Sequence, residues 1–336
     1  PTASRQAVLR EIKQREATRI RLHAMYFDTP ERELARARIA IRLRQEGRDW
    51  VQTLKMPGIN AITRIELNHP RPGPVLDLSV YAGTEVEAAL AAIKGELGLR
   101  YETDVQRMLR KVRTRYGTVE LAYDTGILRA GALELPISEL EFELVSGRPA
   151  AIFAVARGWQ QRHSLVLDPR SKSERGDALA QLAQRLADVD AVPGDDLDSR
   201  RAQAIALFWA PRGAASVKLR EDMTAAQAMG RIAAECLDQI ARNAAVLAEV
   251  DTEGVYRAGN SEHVHQLRVG IRRLRSAWKL FDGWIGPVPD AIMQGVRAHF
   301  AAFGANRDQD VLNETVAPAL MRAGMPVIPM EAAPPE

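Results

Sequence analysis

The sequence predicts an α+β chain in which an antiparallel β-barrel is followed by an α-helical bundle. Three observations point that way. The first is the stretch Ile39 to Lys55, IAIRLRQEGRDWVQTLK, which reads as a strand, a tight turn at Glu46-Gly47-Arg48, and a returning strand. The second is that strand-like segments as far as Leu144 carry long charged side chains of both signs at alternate positions. Side chains on a strand alternate between two faces, so one face of such a sheet is charged throughout, as the inside of a barrel holding a polyanion would be. The third is a change of period: from Met223 onward apolar residues such as Ile232, Cys236 and Ile240 recur at helical spacing.

The chain has 336 residues, enough for two domains, with 46% hydrophobic and 26% charged residues, ordinary values for a globular protein. A single cysteine, Cys236, excludes an internal disulfide framework and fits a reducing compartment, so a cytoplasmic location is expected. Its apolar helical setting reads as a small buried hydrophobe rather than a nucleophile. No apolar run approaches the roughly 20 residues needed to cross a bilayer, and no membrane association is expected.

Residues 1–23 read as a helix, with Ser4 as its N-cap and Val8, Leu9 and Ile12 on its apolar face, followed by a basic strand. Pro30 ends that strand, and Glu31–Ala37 forms a short helical turn feeding the hairpin. In the hairpin Ile39, Ile41 and Leu43 share one face, and Arg42 and Arg44 the other. On the return Val51, Thr53 and Lys55 fall together, opposite Gln52 and Leu54. The strand ITRIELN puts Arg64 and Glu66 on one face, residues 68–84 are loop-like, and 85–97 form an amphipathic helix.

Three further strands follow. DVQRMLRKVRTRYG carries Arg107, Lys111, Arg113 and Arg115 at one parity, and VELAYDTG places Glu120, Ala122 and Asp124 on one face. ISELEFEL lines one face with Glu139, Glu141 and Glu143. Carboxylates so close together repel unless cations neutralise them. Two readings suit them: a solvent-facing edge strand, or a site for a hard divalent cation such as Mg2+ or Mn2+.

YFDTP, IAIRLRQEG..WVQTLK, RIEL, ISELEFEL and DPRSKSERG, in that order, resemble the CYTH domain over residues 1–180. That family includes inorganic triphosphatases, thiamine triphosphatases and class IV adenylate cyclases. The resemblance implies a β-barrel tunnel with Arg42, Arg44, Lys55, Arg64 and Arg107 as a phosphate clamp. It implies Glu139 and Glu141 as metal ligands, with Glu66, Glu120 and Asp124 nearby. Lys172 and Arg175 match a late family motif, as phosphate contacts or as residues closing the barrel. The family's opening strand, Glu-x-Glu-x-Lys, is not in the sequence. Its place is just before the helix at the start of the chain, so it is expected upstream of Pro1.

After a helix running to Val189, AVPGDDLDSRR reads as a linker and IALFWAPRG as a short apolar segment; Asp222 or Thr224 caps the next helix. The helix beginning SEHVHQLRVGIRRLRSAW sets Val264, Leu267, Ile271, Leu274 and Trp278 towards a core. His265, Arg268, Arg272, Arg273, Arg275 and Lys279 lie on its other side. A solvated charged face is the simple account, but the basic run has no acidic i+4 partners within it. HxxRVxIRRLRSA, with NRDQDVL at 306–312, resembles the CHAD domain, a helical family that binds inorganic polyphosphate and often follows CYTH. The family domain has two related halves, of which this sequence carries about one, ending in GMPVIPMEAAPPE.

The expected organisation is a CYTH domain over 1–188, a linker over 189–219 and part of a CHAD domain over 220–336. The expected activity is Mg2+- or Mn2+-dependent hydrolysis of inorganic triphosphate, with polyphosphate bound by His265, Arg268, Arg272, Arg273 and Arg275. Alternatives are a non-enzymatic polyphosphate-binding scaffold, an adenylate cyclase, or a thiamine triphosphatase. Nucleic acid is disfavoured, because aromatics are 5% of the chain and do not interleave with the basic run.

Overall fold

A computed structural model of the chain describes residues 2–13, 16–58, 63–248 and 259–311. Helix α1 (Thr2–Lys13) precedes strand β1 (Thr18–Asp28), short helix α2 (Glu33–Arg36), and strands β2 (Ala40–Glu46), β3 (Asp49–Pro57) and β4 (Arg64–Arg71). A 3-10 turn and helix α3 (Glu87–Ala91) lead to three long strands, β5 (Gly98–Thr114), β6 (Gly117–Ala130) and β7 (Leu133–Gly147). Helices α4 (Ala150–His163), α5 (Lys172–Asp190), α6 (Leu197–Phe208), α7 (Ala225–Leu247), α8 (Ser261–Leu280) and α9 (Asp290–Val311) follow. Two compact units result: one runs to Ala210, apart from Leu167–Pro169, and the other takes up the chain from Pro211.

All the strands form one antiparallel sheet in the order β4-β3-β2-β1-β5-β6-β7. Its edge strands β4 and β7 do not pair among the described residues, so the predicted barrel is an open, curled sheet, a half-barrel. The curl shows in the electrostatics. β3 and β7 are five neighbours apart, roughly 24 Å in a flat sheet at about 4.8 Å per strand, yet the Lys55 ammonium on β3 is, after Lys172 and Arg107, among the charges that outweigh burial and hold down the pKa of Glu141 on β7.

The apolar faces of the strands are covered on the convex side. Val8 and Ile12 of α1 pack with Val119, Leu121 and Tyr123 of β6 and with Ala151, Val155 and Trp159 of α4. Leu34, Ile39, Ile41, Leu54, Tyr81 and Leu90 form a second cluster beneath β2 and β3. That arrangement leaves the charged parity on the concave side, as alternation requires.

Several elements differ from expectation. Helix α1 begins at Thr2, so Ser4 lies within it and is not a cap. The helix expected over 85–97 stops at Ala91, because the backbone N–H groups of Lys94 and Gly95 turn to the Glu33 carboxylate, at 3.3 and 2.9 Å. β4 extends through His69 and Pro70 to Arg71, into the expected loop, and an edge strand tolerates proline there. Helix α4 adds Ala151, Val155 and Trp159 to the convex core, and period-two charge alternation could not reveal it. Helix α6 lies within the expected linker and packs against α5.

In the second unit Thr224 caps α7 through a reciprocal pairing with Gln227. Met229, Cys236, Leu274 and Ala277 form its core, with Cys236 fully buried. A Cβ on Gly270 would come within 2.8 Å of Ile240, so the glycine sets how closely α8 approaches α7. No helix among the described residues is long and apolar enough to cross a membrane.

Candidate functional site

Strand register assembles the site. Arg42 on β2 stands opposite Thr53 on β3, and Lys55 opposite Glu66 on β4. On the other side Tyr26 joins Arg42 to Tyr101, and Ile20 stands opposite Arg107. Arg107 faces Asp124, Asp124 faces Glu139, and Ala122 faces Glu141. Directly opposed residues point to the same face. Arg42, Arg44, Lys55, Glu66, Arg107, Asp124, Glu139 and Glu141 therefore share the concave surface, cations mainly on β2 and β3 and carboxylates on β6 and β7.

At the acidic end one ligand oxygen from each of Asp124, Glu139 and Glu141 lies within 4.8 Å of the others. Asp124 is fully buried. Arg107 grips it with two hydrogen bonds of 2.7 Å and reaches Glu141 at 2.5 Å. The Lys172 ammonium, from the first turn of α5, stands 2.7 Å from both Asp124 and Glu141 and also contacts Glu139. Arg175, one turn on, pairs with the other Glu139 oxygen. Burial by itself would raise the pKa of Glu141, but Lys172 and then Arg107 override it and hold the carboxyl at about 2. Burial also opposes the charge on Lys172, and the surrounding carboxylates push its pKa up nonetheless.

The basic end is less well neutralised. Arg42 bonds the Tyr26 hydroxyl at 3.4 Å and lies 3.9 Å from Glu66, which pairs more closely with Lys55 at 2.8 Å. Arg44 contacts Glu46, and burial followed by repulsion from Arg42 lowers its pKa. The Nε atoms of Arg42 and Arg44 are buried without a hydrogen-bond partner. Buried donors left without acceptors are costly, and here they face a concave surface where an anion could supply the acceptors.

Not every predicted residue joins these groups. Glu66 belongs to the Lys55 pair rather than the carboxylate cluster. Glu120 is opposite Lys111 and lines a cavity of about 690 Å3 with Glu16, Thr18, Leu109 and Arg110. Arg64 sits exposed at the start of β4, its guanidinium donating to the Thr63 carbonyl at 2.8 Å.

The SKSERG motif gains a physical account. Ser171 caps α5, Lys172 and Arg175 enter the carboxylate cluster, and the Ser173 hydroxyl lies 3.0 Å from that of Tyr101. In YFDTP, Asp28 is a buried cap: its carboxylate accepts from the backbone N–H groups of Thr29, Leu34 and Ala35 at 2.7–3.0 Å. Charge alternation along strands does not single out Asp28; its place between a strand and a short helical turn is the signal that marks it.

In the second unit α8 divides its cations. Arg268 and Arg275 lie over the ring of Phe300, at 5.1 and 5.4 Å, and Arg272 is exposed. Arg273 instead turns to α7, donating to the Gln239 side chain at 2.7 Å and the Ala215 carbonyl at 3.0 Å. His265 is half-buried. The side chains of NRDQDVL and the whole of GMPVIPMEAAPPE lie outside the described residues.

Comparison with known proteins adds to this geometry. The CYTH domain model matches residues 2–176 and the CHAD domain model residues 231–334. The chain is 30% identical over 158 residues to the inorganic triphosphatase of Haemophilus influenzae, covering 45% of this chain and 44% of that protein, so it spans less than half of that relative's length. Among solved structures it is similar to a candidate adenylate cyclase of Bacillus halodurans (18% identity, TM-score 0.38, covering 51% of this chain and 89% of the other). It is also similar to a candidate adenylyl cyclase of Hippeastrum with a dominant triphosphatase activity (15% identity, TM-score 0.37, covering 49% and 84%). With its matched region spanning the whole charged sheet and the start of α5, the chain belongs to the CYTH family and carries a CHAD domain segment behind it.

Proposed function

We propose that the chain hydrolyses inorganic triphosphate with a divalent metal, Mg2+ or Mn2+, and that its helical unit binds inorganic polyphosphate. The division that goes with this reading is a catalytic domain over 1–188, a connecting segment over 189–219 and a polyphosphate-binding segment over 220–336. One observation carries the proposal: a cluster of three carboxylates faces, across one concave surface, two half-buried arginines whose buried Nε donors have no partner.

The donor set fits the metal. Asp124, Glu139 and Glu141 offer only hard oxygen ligands, which Mg2+ and Mn2+ prefer. Bound there, the ion would supply Lewis-acid neutralisation of phosphoryl oxygens and orient a water. The protein's own part is positioning and charge. Arg42, Arg44 and Lys55 bind the chain of phosphates along β2 and β3, with Arg64 at the rim. Arg107 and Lys172 stand between carboxylate and substrate, able to share their donors with a terminal phosphoryl group as negative charge spreads over it. Guanidinium forks suit phosphate oxygens because two donors meet two acceptors. No side chain is assigned as general base.

The test is phosphate release from triphosphate. Activity is expected with Mg2+ or Mn2+, to vanish on chelation and return on re-addition. Glu141→Gln is expected to lower it on the order of 100-fold or more, since it removes an anionic metal ligand. Undiminished turnover by that variant, or turnover indifferent to chelator, would overturn the proposal.

A further inference from the structure

Each oxygen of the carboxylate cluster is already engaged by a cation of the chain. Arg107 takes both oxygens of Asp124 and Oε2 of Glu141; Lys172 takes Oδ2 of Asp124 and Oε1 of Glu139 and of Glu141; Arg175 takes Oε2 of Glu139. Three negative charges meet three positive ones, so the cluster is neutral as it stands. A dication would need those same oxygens at about 2.1 Å and would leave the cluster with excess positive charge. Some internal cation must therefore withdraw as the metal binds.

The three cations are not equally free to do so. Arg107 is a planar fork fixed by two parallel bonds to a fully buried carboxylate on the neighbouring strand. Arg175 touches Glu139 alone within the cluster. Lys172 sits at the centre, in contact with all three carboxylates, and its single ammonium rides on a flexible four-carbon stem at the first position of α5. It stands at the convergence point where a metal would be held.

Resting on the reading of this cluster as the metal site, we infer that Lys172 is an internal counter-ion that occupies the metal position and is exchanged out when metal binds, so that Lys172 sets the metal affinity of the site. The displaced ammonium then becomes available to phosphate oxygens. Metal and triphosphate consequently favour one another's binding, and by linkage each raises the other's affinity by the same factor.

The experiment is a Mn2+ titration without triphosphate, following the resonance signal of free Mn2+, on the wild type and on Lys172→Met, Lys172→Gln, Lys172→Arg and Asp124→Asn. Removing a unit charge in contact with the ligands should tighten Mn2+ binding at least about tenfold in Lys172→Met and Lys172→Gln. Lys172→Arg should bind no more tightly than wild type. Equal affinity in wild type and Lys172→Met overturns the inference and leaves the metal site standing. Unaltered Mn2+ binding by Asp124→Asn overturns the metal site itself.

A second measurement uses the wild type alone and so does not depend on the variants folding. Saturation with Mn2+ should increase hydrogen exchange at the first turn of α5, residues 172–176. Unchanged protection there, with Mn2+ bound, also overturns the inference.

Discussion

The ring of Tyr101 occupies the space that a side chain at Gly176 would need: a Cβ built there would lie 2.2 Å from two ring carbons. Tyr101 is itself stacked on Tyr26 at 4.6 Å between ring centroids, and Tyr26 bonds Arg42. The first turn of α5, which delivers Lys172 and Arg175, is thus seated through one glycine on an aromatic pair that also supports the basic end of the site.

Gly176→Ala should for that reason disturb more than a helix. Alanine favours the helix itself by about 1 kcal/mol, but the clash with a buried, stacked ring makes overpacking the larger effect. A net loss of about 2 kcal/mol is expected, from an overpacking cost of about 3 kcal/mol, the upper end of the usual range for so close a contact, less the gain in propensity. Urea unfolding of the variant checks it. A variant as stable as wild type or more so would show that α5 does not rest on Tyr101.

Acid should loosen the acidic end in a defined window. The Glu141 carboxyl has its pKa lowered from 4.5 to about 2 in the fold, since Lys172 and Arg107 outweigh burial. A depressed carboxylate pKa contributes stability that is fully present above the unfolded value and is lost as pH falls through the folded one. The stability advantage of wild type over Glu141→Gln should therefore be constant above about pH 5 and shrink steadily towards pH 2. Unfolding free energies measured at a series of pH values test this. A difference that stays level across the window would mean that the ion pairs with Lys172 and Arg107 do not stabilise the fold.

The basic helix offers a contrast between neighbours. Arg268, Arg272 and Arg275 lie away from α7, two of them over Phe300, whereas Arg273 is bonded to Gln239 and Ala215. Replacing Arg268, Arg272 and Arg275 together by glutamine should leave the fold intact and abolish salt-sensitive polyphosphate binding. Arg273→Gln should do the reverse: polyphosphate affinity close to wild type, with stability lower by about 1–3 kcal/mol for lost charged hydrogen bonds. Polyphosphate titrations at two salt concentrations, with thermal unfolding of each variant, separate the two roles. Equal polyphosphate affinity in the triple variant and wild type would make that face a solvated one.

The sequence by itself determined which side chains share a face. Alternation along a strand is local geometry, so Arg42 and Arg44, or Glu139 and Glu141, could be assigned to one surface from spacing alone, and the helical period after Met223 was equally legible. Local pattern also ran short in places. The strands β5, β6 and β7 are longer than their charged cores, and α4 bears no charge alternation to announce it. Only the tertiary structure decided which strands neighbour one another and how far the sheet curls, because pairing between distant segments depends on burial summed over the whole fold. That is why Asp124 rather than Glu120 or Glu66 completes the carboxylate cluster. It is also why Lys172, remote in sequence from Asp124, lies 2.7 Å from it. Packing of α7 against α8 likewise separated Arg273 from Arg272, adjacent residues whose side chains point about 100° apart around a helix, one bonded inward and one left exposed.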